Sequence, residues 1–132
     1  MTAVRRAAIP VDDLSEDELA AALAAGAEAY GWEYQAAVWL IVKQRDWLGR
    51  WEFRGAVEVD VDEHGRRVAW VDWVKVELMS PASAGQLRIL ELGRSLAGVA
   101  NTRPLGELVY GLGSNLNLVL AAVSIAGAGR LA

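Results

Sequence analysis

The chain has 132 residues, a net charge of −4 and no cysteine. With 54% apolar residues it is too hydrophobic for a disordered chain, and its length suits one domain. The lack of cysteine excludes disulfides and thiolate metal sites and fits a reducing, cytoplasmic setting. Residues 1–31 carry six acids against two bases, residues 32–79 nine against seven, and residues 80–132 two against four. No basic field stands out, so a nucleic-acid partner is disfavoured.

Residues 1–14 read as an extended arm, with residues 15–132 as a single α+β domain. Arg5 and Arg6 do not open a signal peptide, because Pro10, Asp12 and Asp13 interrupt the apolar run too soon. The first helix has a clear start. Ser15 and Glu18 have capping-box spacing, and Leu14 and Leu19 occupy the two positions of a hydrophobic staple. The pattern predicts a helix from Glu16 to about Tyr30, ended by Gly31.

The central stretch is read as a three-stranded antiparallel meander, with strands near 37–45, 50–61 and 66–79. Val38-Trp39-Leu40-Ile41-Val42 fits either a buried helix or a buried strand. Its β-branched and aromatic content favours strand. Two turns of the form D-x-x-G, Asp46–Gly49 and Asp62–Gly65, separate the strands. They imply a register in which Val42 faces Phe53, Val57 faces Trp70 and Asp60 faces Arg67.

Two or three helices follow. Ser80-Pro81 is a helix start, 86–100 carries an Ile89/Leu92/Leu96/Val99 stripe, and 105–112 is a short helix. Ser114 caps a last helix to about Ala126, with Leu116, Val119, Leu120 and Val123 at helical spacing. The Asn115–Leu118 alternation leaves a strand as the lesser reading. Residues 108–129 contain no charge and are long enough to span a bilayer, but Asn115, Asn117 and several glycines favour a buried helix. The order α-β-β-β-α over 16–100 resembles, in element order alone, that of double-stranded-RNA-binding domains. Their second helix is basic, whereas here it has only Arg88 and Arg94, with Glu91 between them, and no binding residue carries over.

The meander register sorts side chains onto two faces. Trp39, Ile41, Val71 and Trp73 form an apolar island on the outer face, with Arg54 beside Trp73 as a cation–π partner. The expected cover is the chain's own helices, a second copy or another protein. Asp72 falls on the core face opposite Gly55 and beside Trp70, the base of a possible acidic pocket. Trp51 and Trp70 are expected in the core.

No catalytic set emerges. His64, the only histidine, lies in a turn, no serine has a nucleophile-elbow setting, and Glu58, Asp60 and Asp62 read as a solvated hairpin tip. No cofactor is implied. The residues favour a non-enzymatic interaction or assembly module using the Trp39/Ile41/Arg54/Val71/Trp73 patch. The alternative is a ligand-binding or enzymatic domain around Asp72.

Overall fold

The structure is a computed structural model and describes residues 9–78, 81–100 and 103–131. Among the described residues it is an α+β fold with six α-helices and a single two-stranded antiparallel sheet. The helices are α1 (Glu16–Ala27), α2 (Trp32–Gln44), α3 (Trp51–Arg54), α4 (Ala84–Leu96), α5 (Leu105–Val109) and α6 (Asn115–Ala128). The strands are β1 (Val57–Val61) and β2 (Arg67–Val71). Helix α2 is the centre, with α1, α4 and α6 packed on it, while the hairpin lies against α1.

Helix α1 begins as its local chemistry dictates. Ser15 Oγ accepts from the Glu18 amide at 3.1 Å, and Glu18 Oε1 accepts from the Ser15 amide at 2.9 Å. Leu14 and Leu19 are both buried below it. The helix stops at Ala27 rather than Tyr30. Gly26 brings the α1 backbone onto the Ala69 carbonyl of β2, where a Cβ would clash.

The three-stranded meander is not formed. The expected strand at 37–45 is instead the second half of α2. Ala36, Ala37, Val38, Leu40 and Ile41 are all buried, because neighbours contact α2 from several sides. Packing therefore overrides the strand preference of its Val, Ile and Trp residues. Arg45, in the left-handed region at φ 75°, closes the helix. The Asp46–Gly49 turn exists, but it connects two helices, and its Trp47 and Leu48 are fully buried anchors.

The other two strands shorten. Residues 51–54 of the expected 50–61 strand form α3, leaving β1 at Val57–Val61. The expected 66–79 strand gives β2, followed by a 3₁₀ turn at Trp73–Lys75. Met79 lies outside the described residues. The second D-x-x-G turn forms, with Asp62 Oδ1 accepting from the amides of His64 and Arg66 and Gly65 at φ 79°.

The register of that hairpin differs from expectation by one residue. Val57 pairs with Val71, Val59 with Ala69 and Asp60 with Val68. The cause is loop length. The Asp62 amide bonds the Arg66 carbonyl at 2.8 Å, so three residues rather than four sit outside the ladder. Val57, Val59, Ala69 and Val71 then share the buried side of the sheet. Ile9 adds an isolated bridge to Val59.

The later helices follow the periodicity more closely. Helix α4 starts at a second capping box made by Ser83 and Gln86, with Pro81 in a bend before it, and ends at Leu96 rather than Ala100. Ser80 lies outside the described residues. The 105–112 helix shortens to α5. The last helix forms as α6, without a side-chain cap from Ser114, and residues 115–118 are helical rather than extended. Gly129 ends α6 at φ 74°, its Cα against the Trp32 indole. No helix among the described residues is long and apolar enough to cross a membrane.

Candidate interaction surface

The residues expected on the outer sheet face are distributed through the interior. Trp39 and Ile41 are on α2, Val71 on β2 and Trp73 in the 3₁₀ turn. Ile41, Val71 and Trp73 are buried, and Trp39 is half-buried against the core. Ile41 and Trp73 do come together, but inside. Both lie against Gly93 of α4, whose Cβ position is 3.2 Å from the Trp73 ring and 3.6 Å from Ile41 Cδ1. Arg94 Nε donates to the Trp73 carbonyl at 3.0 Å, and Phe53 stacks near the indole at 6.1 Å. The island is thus part of the core, formed by the chain's own helices.

Arg54 has a structural role. Its guanidinium donates to the carbonyls of Leu48, Val11 and Leu14 at 2.6, 2.9 and 3.0 Å. It ties the loop before α3 to the chain segment before α1. The cation–π pair that does form is Arg50 over Trp47, at 5.2 Å. Arg50 also holds Glu52 at 2.8 Å, and Glu52 is 1% exposed.

Asp72 is exposed rather than in the core. Its carboxylate accepts from the Val74 amide at 3.2 Å, capping the 3₁₀ turn, and lies 3.8 Å from Lys75 Nζ. Gly55 is exposed at the end of α3, where a Cβ would meet the Trp51 carbonyl, and Trp70 is half-buried on the opposite side of the sheet from Val71. Trp51, expected in the core, is exposed. No enclosed acidic pocket arises at these residues. A groove of about 460 Å³ lies elsewhere, between α1, α2 and the end of α6, floored by Val38, Trp39, Val42 and Ile125. Among the described residues, no group of three His, Asp or Glu side chains is arranged to hold a metal ion.

Among the described residues, Asp62, Glu18, Tyr34 and Arg66 have shifted acidity, Arg66 being raised by its bonds to Asp62 and by Glu28. Hydrogen bonds from the Arg66 amide and then the His64 amide, together with the Arg66 guanidinium, hold Asp62 below the usual carboxylate range. The Ser15 amide, then Arg67, does the same for Glu18. Burial raises the Tyr34 phenol, whose oxygen accepts from the Val71 amide at 3.0 Å. The Glu18–Arg67 pair ties α1 to β2 and the Tyr34–Val71 bond ties α2 to β2, while the Asp62 bonds to His64 and Arg66 stay within their turn.

The surface that stands out is the outer side of α6. Val119, Ala122 and Ile125 face inward and are buried. Leu116, Leu120 and Val123 face outward and are 40%, 58% and 52% exposed. The sequence shows all of Leu116, Val119, Leu120 and Val123 as one apolar stripe. The structure divides them between two sides of the helix. Among the described residues the main contacts of α6 are with α2 and α4, which leaves its outer side uncovered. No charged residue occurs in α6, and the polar groups beside the exposed leucines are the uncharged Asn117 and Ser124.

A scan against protein-family models matched none, and neither the curated proteins nor the solved structures gave a match.

Proposed function

We propose that the chain is a non-enzymatic interaction module that docks another protein surface through the outer side of α6. The observation that carries this reading is the exposed Leu116/Leu120/Val123 stripe on a helix that has no charged residue. Single exposed leucines are ordinary, but a contiguous apolar line on one helix is costly to leave in water. A protein partner is favoured over a lipid surface, because interfacial helices rim their apolar face with Lys and Arg and α6 has neither. The rival reading, an acid-centred pocket, would have to use an Asp72 that is exposed and caps the 3₁₀ turn.

The test compares the two sides of the helix. Leu120→Asn should leave the unfolding free energy of the dilute chain within about 0.5 kcal/mol, the usual range for surface changes. Val119→Asn should cost about 2 kcal/mol or more, because it buries an unsatisfied amide. Equal destabilisation by the two variants would show that the outer side is already packed within the monomer, and the docking role would be lost.

A further inference from the structure

The groove between α1, α2 and the end of α6 is charged at two ends and apolar between them. Val38, Trp39, Val42 and Ile125 make its floor, and Lys43 and Arg130 both line it. Lys43 lies in the last turn of α2. Gly129 packs on the indole of Trp32, the first residue of α2, so Arg130 follows at the opposite end of that helix. From Trp32 to Lys43 the helix axis runs about 16 Å.

These two cations differ from the rest. Among the described residues, Lys43 and Arg130 are the basic side chains with neither an ion pair nor a hydrogen bond. The others meet a carboxylate or, for Arg54 and Arg94, a backbone carbonyl. The carboxylate on the groove's rim, Glu28, is taken by Arg66 at 3.3 Å. In a chain of net charge −4, two unanswered cations in one groove reverse the local charge.

We infer that this groove binds a small linear dicarboxylate with an apolar middle, one carboxylate at Lys43, the other at Arg130 and the chain along Trp39 and Val42. Its volume of about 460 Å³ is that of a small-molecule site, in which an apolar lining holds the ligand and a few polar groups fix its orientation. Charge selects the ligand. An uncharged molecule would leave both cations unanswered. A fatty acid would answer one and set its methyl end beside the other. Both cations are exposed, so each adds little affinity and serves mainly to discriminate. The site is independent of the docking role of α6.

Nuclear magnetic resonance titration of the isotope-labelled chain follows each tryptophan indole N–H. The probes are decanedioate, decanoate and butanedioate. Decanedioate should move the Trp39 signal and leave that of Trp51, exposed outside the groove, in place. It should bind about threefold tighter than decanoate, the gain from one further exposed ion pair. A merely apolar groove has the opposite order, because a second carboxylate loses hydration on entering it. Butanedioate, too short to span the floor, should bind about tenfold more weakly than decanedioate or worse. Lys43→Gln and Arg130→Gln should each cancel the preference for decanedioate. Lys75→Gln, which removes a cation outside the groove, should keep it. Ala24→Leu, which crowds the groove from α1, should weaken both long probes.

Decanoate binding as tightly as decanedioate would overturn the site. So would a preference that survives in both Lys43→Gln and Arg130→Gln, or a Trp39 signal that decanedioate leaves unmoved.

Discussion

Gly26 of α1 lies directly on the backbone carbonyl of Ala69 in β2, and this contact sets how closely the helix approaches the hairpin. An alanine at Gly26 would gain about 1 kcal/mol of helix propensity if the site were open. Here its methyl would meet backbone, which cannot swing aside. Gly26→Ala is therefore expected to destabilise by about 2 kcal/mol net. The urea midpoint measures this, and a stabilised variant would show that the approach is looser than described.

Arg54 bridges the chain before α1 and the loop before α3 through three carbonyls. Arg54→Ala should cost about 2 to 4 kcal/mol, since each bond is charge-assisted and its loss strands an acceptor. Arg54→Lys should recover less than half of this, because an ammonium cannot reproduce the fork of donors. Denaturant unfolding of the two variants checks the ranking.

Glu52 is buried, and Arg50 holds it at 2.8 Å. Arg50→Ala would strand the buried Glu52 carboxylate and should cost about 3 kcal/mol or more. Replacing both residues with apolar ones of similar size should cost much less than the single change. Comparing single and double variants gives the sign directly.

Stability should fall on acidification through Asp62 and Glu18. Both carboxylates are held below their ordinary range when folded. Their contribution is thus complete above the ordinary carboxylate pKa and is lost as the pH drops through the lowered folded values. Asp62→Asn should flatten the acid limb of a stability–pH curve. Tyr34 acts at the other end of the scale. Its raised phenol means stability declines as the pH rises past the ordinary tyrosine range.

The legible parts of the fold were those with local causes. Ser15 with Glu18 fixed the start of α1, and Asp62 with Gly65 fixed the hairpin turn. Helices α4 and α6 followed from periodicity. The Val38–Val42 run gave no such signal, because α2 sits between α1, α4 and α6 and its apolar residues leave no polar face. A helix buried on several sides loses its 3.6-residue pattern, and β-branched content then points the wrong way. The hairpin register depended on one residue of loop length, set by the Asp62–Arg66 bond. That single step moved Val71 inward. The interaction surface was hidden for the same reason as α2. Val119 and Leu120 are both apolar and adjacent in α6, so the position of α2 and α4 decides that Val119 faces in and Leu120 faces out.

Denaturant unfolding of the dilute native chain beside Leu120→Asn and Val119→Asn tests the docking role of α6 most directly. The account predicts that Leu120→Asn stays within about 0.5 kcal/mol of the native chain while Val119→Asn loses about 2 kcal/mol or more. Equal losses in the two variants would contradict it.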